Sequence, residues 1–391
     1  VRKRSLCCIA RIMNFKAVLG QEKVKEQLRN MQAEGRMPHA ILLEGPAGSG
    51  KLPLALALAR FLLCEKPEKE DCCEQCRACR KTAEYVHPDF HFSFPVVGSK
   101  ATSDDFLPMW REALKQSPYM SLHDWLQRIG AENKQGNINK EECVLISRKL
   151  SFQPYESDKK VMLIWMAEAL GKEGNRLLKL IEEPPHNTHF ILVAEEAEAL
   201  LSTILSRCQR LSLNRLSTEE LSQGLENRGV PKAKAEEIAL LADGNFRLAL
   251  QWASEAEEEE GKLFVEWLRK CYVGKVPELI GWSEKLAALG REHQKHLLQY
   301  GLEFVRQMLH GRMSGGQIPV RLPANEKQAA ERLAPLLTFG QLEELSQLLN
   351  NSFHGIQRNA YAKVLFLHAS LSIHRIMKKS ATKDLKAKGY R

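Results

Sequence analysis

The sequence predicts an α/β protein: a parallel-sheet domain of the P-loop type, followed by helices alone. Three observations predict it. Gly45-Pro46-Ala47-Gly48-Ser49-Gly50-Lys51-Leu52 fits the glycine and lysine positions of the phosphate-loop pattern G-x-x-x-x-G-K-[ST]; the strand-like run Ala40-Ile41-Leu42-Leu43 precedes it and an apolar helix follows. Short apolar runs then alternate with helical stretches as far as Leu213, the rhythm of parallel strands joined by crossover helices. From Ser217 onward the pattern is helical only.

The first twelve residues join no pattern, whereas Met13-Asn14-Phe15 begins a segment that leads through Gly20-Gln21 into an amphipathic stretch. Residues 1–12 are therefore expected to be a translational extension, non-native or disordered, with a basic targeting tail as the alternative. In the glycine loop, backbone N–H groups and Lys51 would cradle phosphates. Its last position departs from the pattern, because Leu52 stands where a Ser or Thr hydroxyl would ligand Mg²⁺. The matching half of a metal site should end a second buried strand, and Lys160-Val161-Met162-Leu163-Ile164 is the candidate. There the acidic residues are replaced by Trp165 and Met166; Glu168 comes two residues late and should point elsewhere. Two losses at one site argue against hydrolysis. They leave open either residual nucleotide binding through Gly45, Gly48, Gly50 and Lys51 or an ordinary strand-to-helix turn.

Ten cysteines are unevenly spread, five of them between Cys64 and Cys79. Cys73-x₂-Cys76-x₂-Cys79 brings three thiols to one side of a tight turn, and Cys64, at the end of the helix after the glycine loop, supplies a fourth. Four soft thiolates suit a structural Zn²⁺ with no open coordination position. Free thiols or a redox pair are the alternative, and Cys72 could stand in for Cys73. Cys7, Cys8, Cys143 and Cys271 are scattered.

Beyond the cluster, His87-Pro88-Asp89 reads as a turn entering a strand at Phe90-His91-Phe92. Residues 97–135 are polar and irregular, an insertion with one weakly amphipathic stretch. A helix over 175–181 stops at Glu182-Glu183-Pro184-Pro185 because proline cannot continue it. Strands are expected over 189–194 and, after Ser206-Arg207-Cys208, over 209–213. Ser217 caps the next helix; another covers 234–242 and ends at Asp243-Gly244, and a third starts at Asn245-Phe246-Arg247. The acidic run from Glu255 to Glu260 marks a boundary, after which amphipathic helices such as 297–305 and 362–376 continue with no catalytic constellation.

At 391 residues and 44% hydrophobic, the chain can hold two or three domains with real cores. No apolar run approaches a membrane span, and a cytoplasmic setting is expected. The formal net charge of +9 is concentrated at the ends: Arg2, Lys3, Arg4 and Arg11 at one, and the last seventeen residues at the other. The body between is near neutral, which weakens the case for a nucleic-acid surface; the basic tail reads as a solvated, frayed end, with a DNA contact as the alternative.

Taken as a set, several motifs resemble the clamp-loader family of AAA+ proteins, in particular its delta-prime branch in bacterial DNA polymerase III. They are Gly20-Gln21, Pro38-His39-Ala40, the four-cysteine insert, Leu177-Leu178-Lys179 with Glu182-Glu183-Pro184-Pro185, and Ser206-Arg207-Cys208. The resemblance implies an AAA+ domain over 13–213, with the zinc insert at 64–79 and the insertion at 97–135. It also implies a helical lid over 214–258 and an all-α collar over 259–391 that ends in the basic tail. By the same match, Arg207 is an arginine finger directed at ATP on an adjacent subunit and Arg247 is the lid's sensor-2 arginine. Implied partners are gamma/tau and delta subunits, the sliding clamp, and primed DNA through the complex; no membrane is involved. The isolated chain would not be an ATPase, although as a holoenzyme subunit it would be grouped with the DNA-directed DNA polymerase, a nucleotidyltransferase. Alternatives are the ATP-hydrolysing gamma/tau type, an independent P-loop NTPase, and a zinc-containing DNA-binding module acting alone.

Overall fold

The computed structural model describes residues 13–131, 134–253, 257–313, 324–358 and 360–379. The expected extension at 1–12 and the end of the basic tail lie outside the described residues. The chain divides into two compact units, Val1–Gln251 and Trp252–Arg391.

The first unit is built on five parallel strands: β1 (Ala40–Glu44), β2 (Phe90–Ser93), β3 (Lys160–Trp165), β4 (Thr188–Ala194) and β5 (Gln209–Ser212). Their order across the sheet is β2-β3-β4-β1-β5, with Leu42 opposite Leu192 and Ile164 opposite Leu192 on its other side. β1 and β3 are buried along their whole length, as expected of strands covered on both faces. Alternation divides their side chains between two cores. Ile41, Leu43, Val161, Leu163, Trp165, Ile191 and Val193 face one way; Ala40, Leu42, Met162, Ile164, Phe190 and Leu192 face the other.

The first face is covered by α1 (Glu22–Ala33), by α2 (Lys51–Leu63), which is buried at every position, and by the insertion. The four-cysteine segment ends in α3 (Arg77–Ala83). The insertion is more ordered than its polar sequence predicts. It forms a 3₁₀ turn (Ser103–Phe106), α4 (Leu107–Gln116) and α5 (Leu122–Arg128). Capping boxes at Thr102/Asp105 and Ser121/Asp124 start the turn and α5, and the fully buried Trp110 and Trp125 root the segment in the core. The other face is covered by α6 (Lys140–Ser151), whose Cys143, Ile146 and Leu150 point inward, and by Leu170, Leu177, Ile181 and Ile204. The helix expected over 175–181 begins in the last turn of a 3₁₀ stretch (Ala167–Leu177, broken at Gly171) and is otherwise α7 (Leu178–Glu182), which stops before the double proline. α8 (Ser202–Leu205) precedes β5. Three helices complete this unit: α9 (Thr218–Glu226), capped by Ser217, then α10 (Lys232–Ala242) and α11 (Phe246–Trp252).

Described residues of the second unit form helices only: α12 (Glu257–Val273), α13 (Val276–Ala288), α14 (Arg291–Met313), α15 (Ala324–Leu333), α16 (Phe339–Gln357) and α17 (Ala362–Lys378). Trp267, fully buried, donates to Ser370 Oγ at 2.9 Å and packs edge-on to Phe366, tying α12 to α17. No described helix is long and apolar enough to cross a membrane.

Candidate functional site

The glycine loop joins β1 to α2. Gly48 and Gly50 both take positive φ, at 72° and 94°, which an ordinary side chain would strain. The Lys51 side chain is 5% exposed and folds back on its own loop. Its Nζ donates to the carbonyls of Gly45 (2.8 Å) and Pro46 (2.7 Å) and lies 3.5 Å from Glu195. Burial pulls its pKa below the ordinary value, against the opposing pull of Glu195. A side chain at Gly48 would collide with Asn245, whose Oδ1 would lie 1.8 Å from the new Cβ; Phe246 N–H donates to Gly48 O at 3.1 Å. The start of α11 is therefore seated directly on the loop. Gln21 ties the other side, donating to Ser49 O and Asn214 O and accepting from Asn214 N–H.

At the positions where a metal would be held, the side chains are apolar and buried. Leu52 is 3% exposed, Trp165 2% and Met166 7%. Glu168, expected to point elsewhere, turns to the end of β4, where its Oε1 accepts from Glu195 N–H (2.9 Å) and Glu196 N–H (3.4 Å), and its charge is felt at Lys51. Burial raises the Glu168 pKa.

Arg247, at the start of α11, is held by a two-pronged bond to Asp124 of α5: Nε donates to Oδ2 at 2.7 Å and Nη2 to Oδ1 at 2.8 Å. Burial opposes the ionised carboxylate of Asp124, but Arg247 and Ser121 outweigh it and hold its pKa below the usual range. Nothing in the sequence marks this partner beyond the Ser121-x-x-Asp124 capping pattern. Tyr119, whose ring packs edge-on against Phe246 at 4.9 Å and whose hydroxyl accepts from Leu19 N–H, is likewise unmarked, since nothing local distinguishes it from other loop residues.

Arg207 follows α8 and stands on the surface. Its Nε and Nη2 both reach Glu182 Oε2 at 3.1 Å, and Nη1 donates to Thr203 O at 3.0 Å. Thus Ser206-Arg207-Cys208 and the Glu-Glu-Pro-Pro turn, distant in sequence, meet at one point. Arg210 has a different setting: it grips the buried Glu44 through Nε and Nη2, and Ser212 Oγ adds a bond at 2.7 Å.

The Sγ atoms of Cys64, Cys73, Cys76 and Cys79 lie within 4.8 Å of one another. Cys64 is 3.5 Å from Cys73 and 4.0 Å from Cys76, and Cys73 is 4.0 Å from Cys79. Thiolates on a tetrahedral ion with metal–sulfur bonds of about 2.3 Å sit about 3.8 Å apart, so the four thiols fit one closed metal site. Backbone N–H groups already point at the sulfurs: Cys73 N to Cys64, Cys76 N to Cys73, and Cys79 N to Cys76, at 3.3–3.4 Å. Burial pushes the Cys64 thiol up. Cys72 and burial push Cys79 up, whereas N–H bonds from Cys76 and Gln75 bring Cys73 down to about 7 despite the cost of burial. Cys72, buried beside Cys79, is not within the set of four.

Against known families, the sequence model described as "DNA polymerase III, delta subunit" matches residues 20–217, half of the chain. The chain belongs to this DNA polymerase III clamp-loader family. It is similar to DNA polymerase III subunit tau of Bacillus subtilis (strain 168), 24% identical over 403 residues that cover 97% of this chain and 64% of that protein. It is 30% identical to subunit delta' of the same organism over 220 residues, 56% of this chain and 55% of that protein. To subunit delta' of Escherichia coli (strain K12) it is 28% identical over 187 residues, 47% and 45% of the two chains. The matches thus span about half to two thirds of these relatives' length. Among solved structures, the Holliday junction branch migration motor RuvB of Thermotoga maritima has 15% identity and a TM-score of 0.39, covering 93% of this chain and 90% of that one. A DNA polymerase III gamma subunit-related protein of Thermotoga maritima has 15% identity and a TM-score of 0.37, covering 90% and 100%.

Proposed function

We propose that this clamp-loader-family chain is a delta-prime-type subunit, one that takes part in ATP-driven loading of a sliding clamp without hydrolysing ATP itself. The observation that carries this reading is the burial of Leu52, Trp165 and Met166 where a hydrolytic site needs a hydroxyl and two carboxylates. Similarity alone does not divide the delta-prime type from the ATP-hydrolysing tau and gamma types, because both are among the relatives. The apolar metal positions favour delta-prime.

In this reading the chain contributes Arg207 to a nucleotide on the adjacent subunit. Its guanidinium is permanently charged, planar and partly exposed, and its present partner Glu182 is itself on the surface. Exchanging that carboxylate for a γ-phosphate oxygen keeps the fork's geometry and adds stabilisation to charge that grows in the transition state. The cysteine set would hold one structural Zn²⁺ through Cys64, Cys73, Cys76 and Cys79; the ion would staple the segment between α2 and α3 and do no chemistry. Residues 214–258 would act as the lid and 259–391 as the collar that joins gamma/tau and delta subunits in a cytoplasmic ring acting on primed DNA.

The test is reconstitution with partner subunits and clamp. The chain alone should show no magnesium-dependent ATP turnover. Arg207→Ala should join the complex normally yet lower clamp-stimulated hydrolysis; one finger is worth about 10³–10⁵ at the site it serves, and less in a ring with several sites. Turnover and clamp loading at the unmodified rate would remove Arg207 from the mechanism, and turnover by the isolated chain that is lost in Lys51→Ala would make it an ATPase.

A further inference from the structure

The insertion between β2 and α6 meets three features around the glycine loop: the end of β3, the loop itself and the start of α11. Trp165 stands at the metal-carboxylate position, and its ring lies 5.1 Å from that of Trp110 in α4. Trp110 in turn stacks on Phe94 at 4.3 Å and meets Trp125 of α5 edge-on at 5.1 Å, so the metal corner is continuous with an aromatic core supplied largely by the insertion. At the phosphate loop, a Cβ on Gly50 would lie 3.6 Å from the Tyr119 ring. Tyr119 also packs edge-on against Phe246 at 4.9 Å, and its hydroxyl accepts from Leu19 N–H at 3.4 Å. At the helical end, Asp124 takes both prongs of Arg247.

These contacts come from one short run, Trp110 to Trp125, and the last is the most telling. An arginine fork beside a phosphate loop donates to two anionic oxygens about as far apart as those of a carboxylate or a phosphate, so either group satisfies it. Asp124 has its own N–H and carboxylate engaged in the Ser121 capping box, which fixes the carboxylate in place before Arg247 arrives. Both side chains keep some exposure, 38% for Asp124 and 22% for Arg247, so a competing anion can reach the pair.

We propose that the insertion is an internal substitute for nucleotide: Asp124 occupies the phosphate's place at Arg247, while Tyr119 and the tryptophans close the loop and metal corners, holding α9–α11 in one pose whether or not ATP is present. This deepens the delta-prime reading by giving the non-hydrolysing subunit a fixed lid, but it concerns only contacts within the first unit and is tested without partner subunits. A ligand-bound lid pays for its closed pose from ligand binding; here a side chain does so permanently.

The test is amide hydrogen exchange on the full-length chain, with MgATP and, separately, inorganic tripolyphosphate as probes. In the unmodified protein, neither probe should change exchange over 218–251. Asp124→Asn, nearly isosteric, should speed exchange in that stretch by about tenfold or more while strands β1, β3 and β4 stay protected, and tripolyphosphate should reverse the gain. Arg247→Lys keeps the charge but not the fork and serves as a second variant should Asp124→Asn fold poorly; it should show the same acceleration. Slower exchange in the unmodified protein on adding either probe would overturn the proposal, because the pocket would then be open to ligand. Unchanged exchange in the variants would overturn it as well. So would acceleration in Asp124→Asn that tripolyphosphate fails to reverse, which would make the pair a structural bridge rather than a phosphate substitute. Loss or survival of Arg207 function in the reconstituted ring leaves each of these readouts untouched.

Discussion

Replacing Trp165 by aspartate would restore the residue type that a hydrolytic site needs at the end of β3, and its effect can be worked out from the packing. The Trp165 side chain is 2% exposed and part of the core that contains α2, Trp110 and Phe94. Truncating a buried tryptophan costs about 3–5 kcal/mol. Placing a carboxylate in the vacated apolar space costs several kcal/mol more, or forces the group to stay protonated. A domain's whole stability is about 5–15 kcal/mol, and a ligand at a hundred times its Kd returns only about 2.7 kcal/mol. Bound MgATP therefore cannot offset the change. Trp165→Asp should lose amide protection in β3 and β4 and melt well below the unmodified protein, with or without MgATP, even when combined with Leu52→Thr. Trp165→Phe, which keeps an aromatic ring in the cluster, should stay folded. If Trp165→Asp with Leu52→Thr melts within a few degrees of the unmodified chain and hydrolyses ATP, the argument that the metal corner has become core is wrong.

Two further outcomes follow from the geometry. Cys76→Ser should reduce metal content from about one zinc per chain to near zero by elemental analysis and raise proteolysis within 64–80, while exchange in the sheet stays unchanged, because the site staples a local segment; a full complement of zinc in this variant would point to a different ligand set. Arg210→Ala is not a neutral counterpart to Arg207→Ala. It strips three bonds from the buried Glu44 immediately before Gly45, so it should lower the melting temperature by more than Arg207→Ala, whose partner is exposed; equal melting temperatures would refute this ranking. Arg176→Ala, which breaks only a surface pair with Glu173, is the appropriate control.

The strands were legible because burial on both faces leaves near-continuous apolar runs, as in Lys160–Trp165, and because double proline stops a helix wherever it falls. The cysteine set was legible because its ligands are close in sequence, so spacing and spatial proximity coincide; the structure brings Cys64, Cys73, Cys76 and Cys79 together and leaves Cys72 outside. The insertion was read poorly. Its helices are short and their apolar positions few, so their order depends on Trp110 and Trp125 finding Phe94 and Trp165 across the fold. Helix α6 was missed because its apolar residues run together as Cys143-Val144-Leu145-Ile146 with only Leu150 a turn further on, so no clear helical period stands out, and the Glu142 it also buries is polar.

By itself, then, the sequence determined what depends on neighbours along the chain: the glycine loop and its missing hydroxyl, the absent carboxylates after β3, the thiol spacing and the order of elements. The tertiary structure alone decided how those losses are filled. Asp124 and Arg247 are 123 residues apart, Arg207 and Glu182 are 25 apart, and Gln21 reaches Asn214 across 193. A charged fork is satisfied by any carboxylate of suitable geometry, and nothing in local composition says which one the fold will deliver. For the same reason the change at the end of β3 looks, in sequence, like simple decay, whereas in three dimensions Trp165 packs against Trp110, which stacks on Phe94.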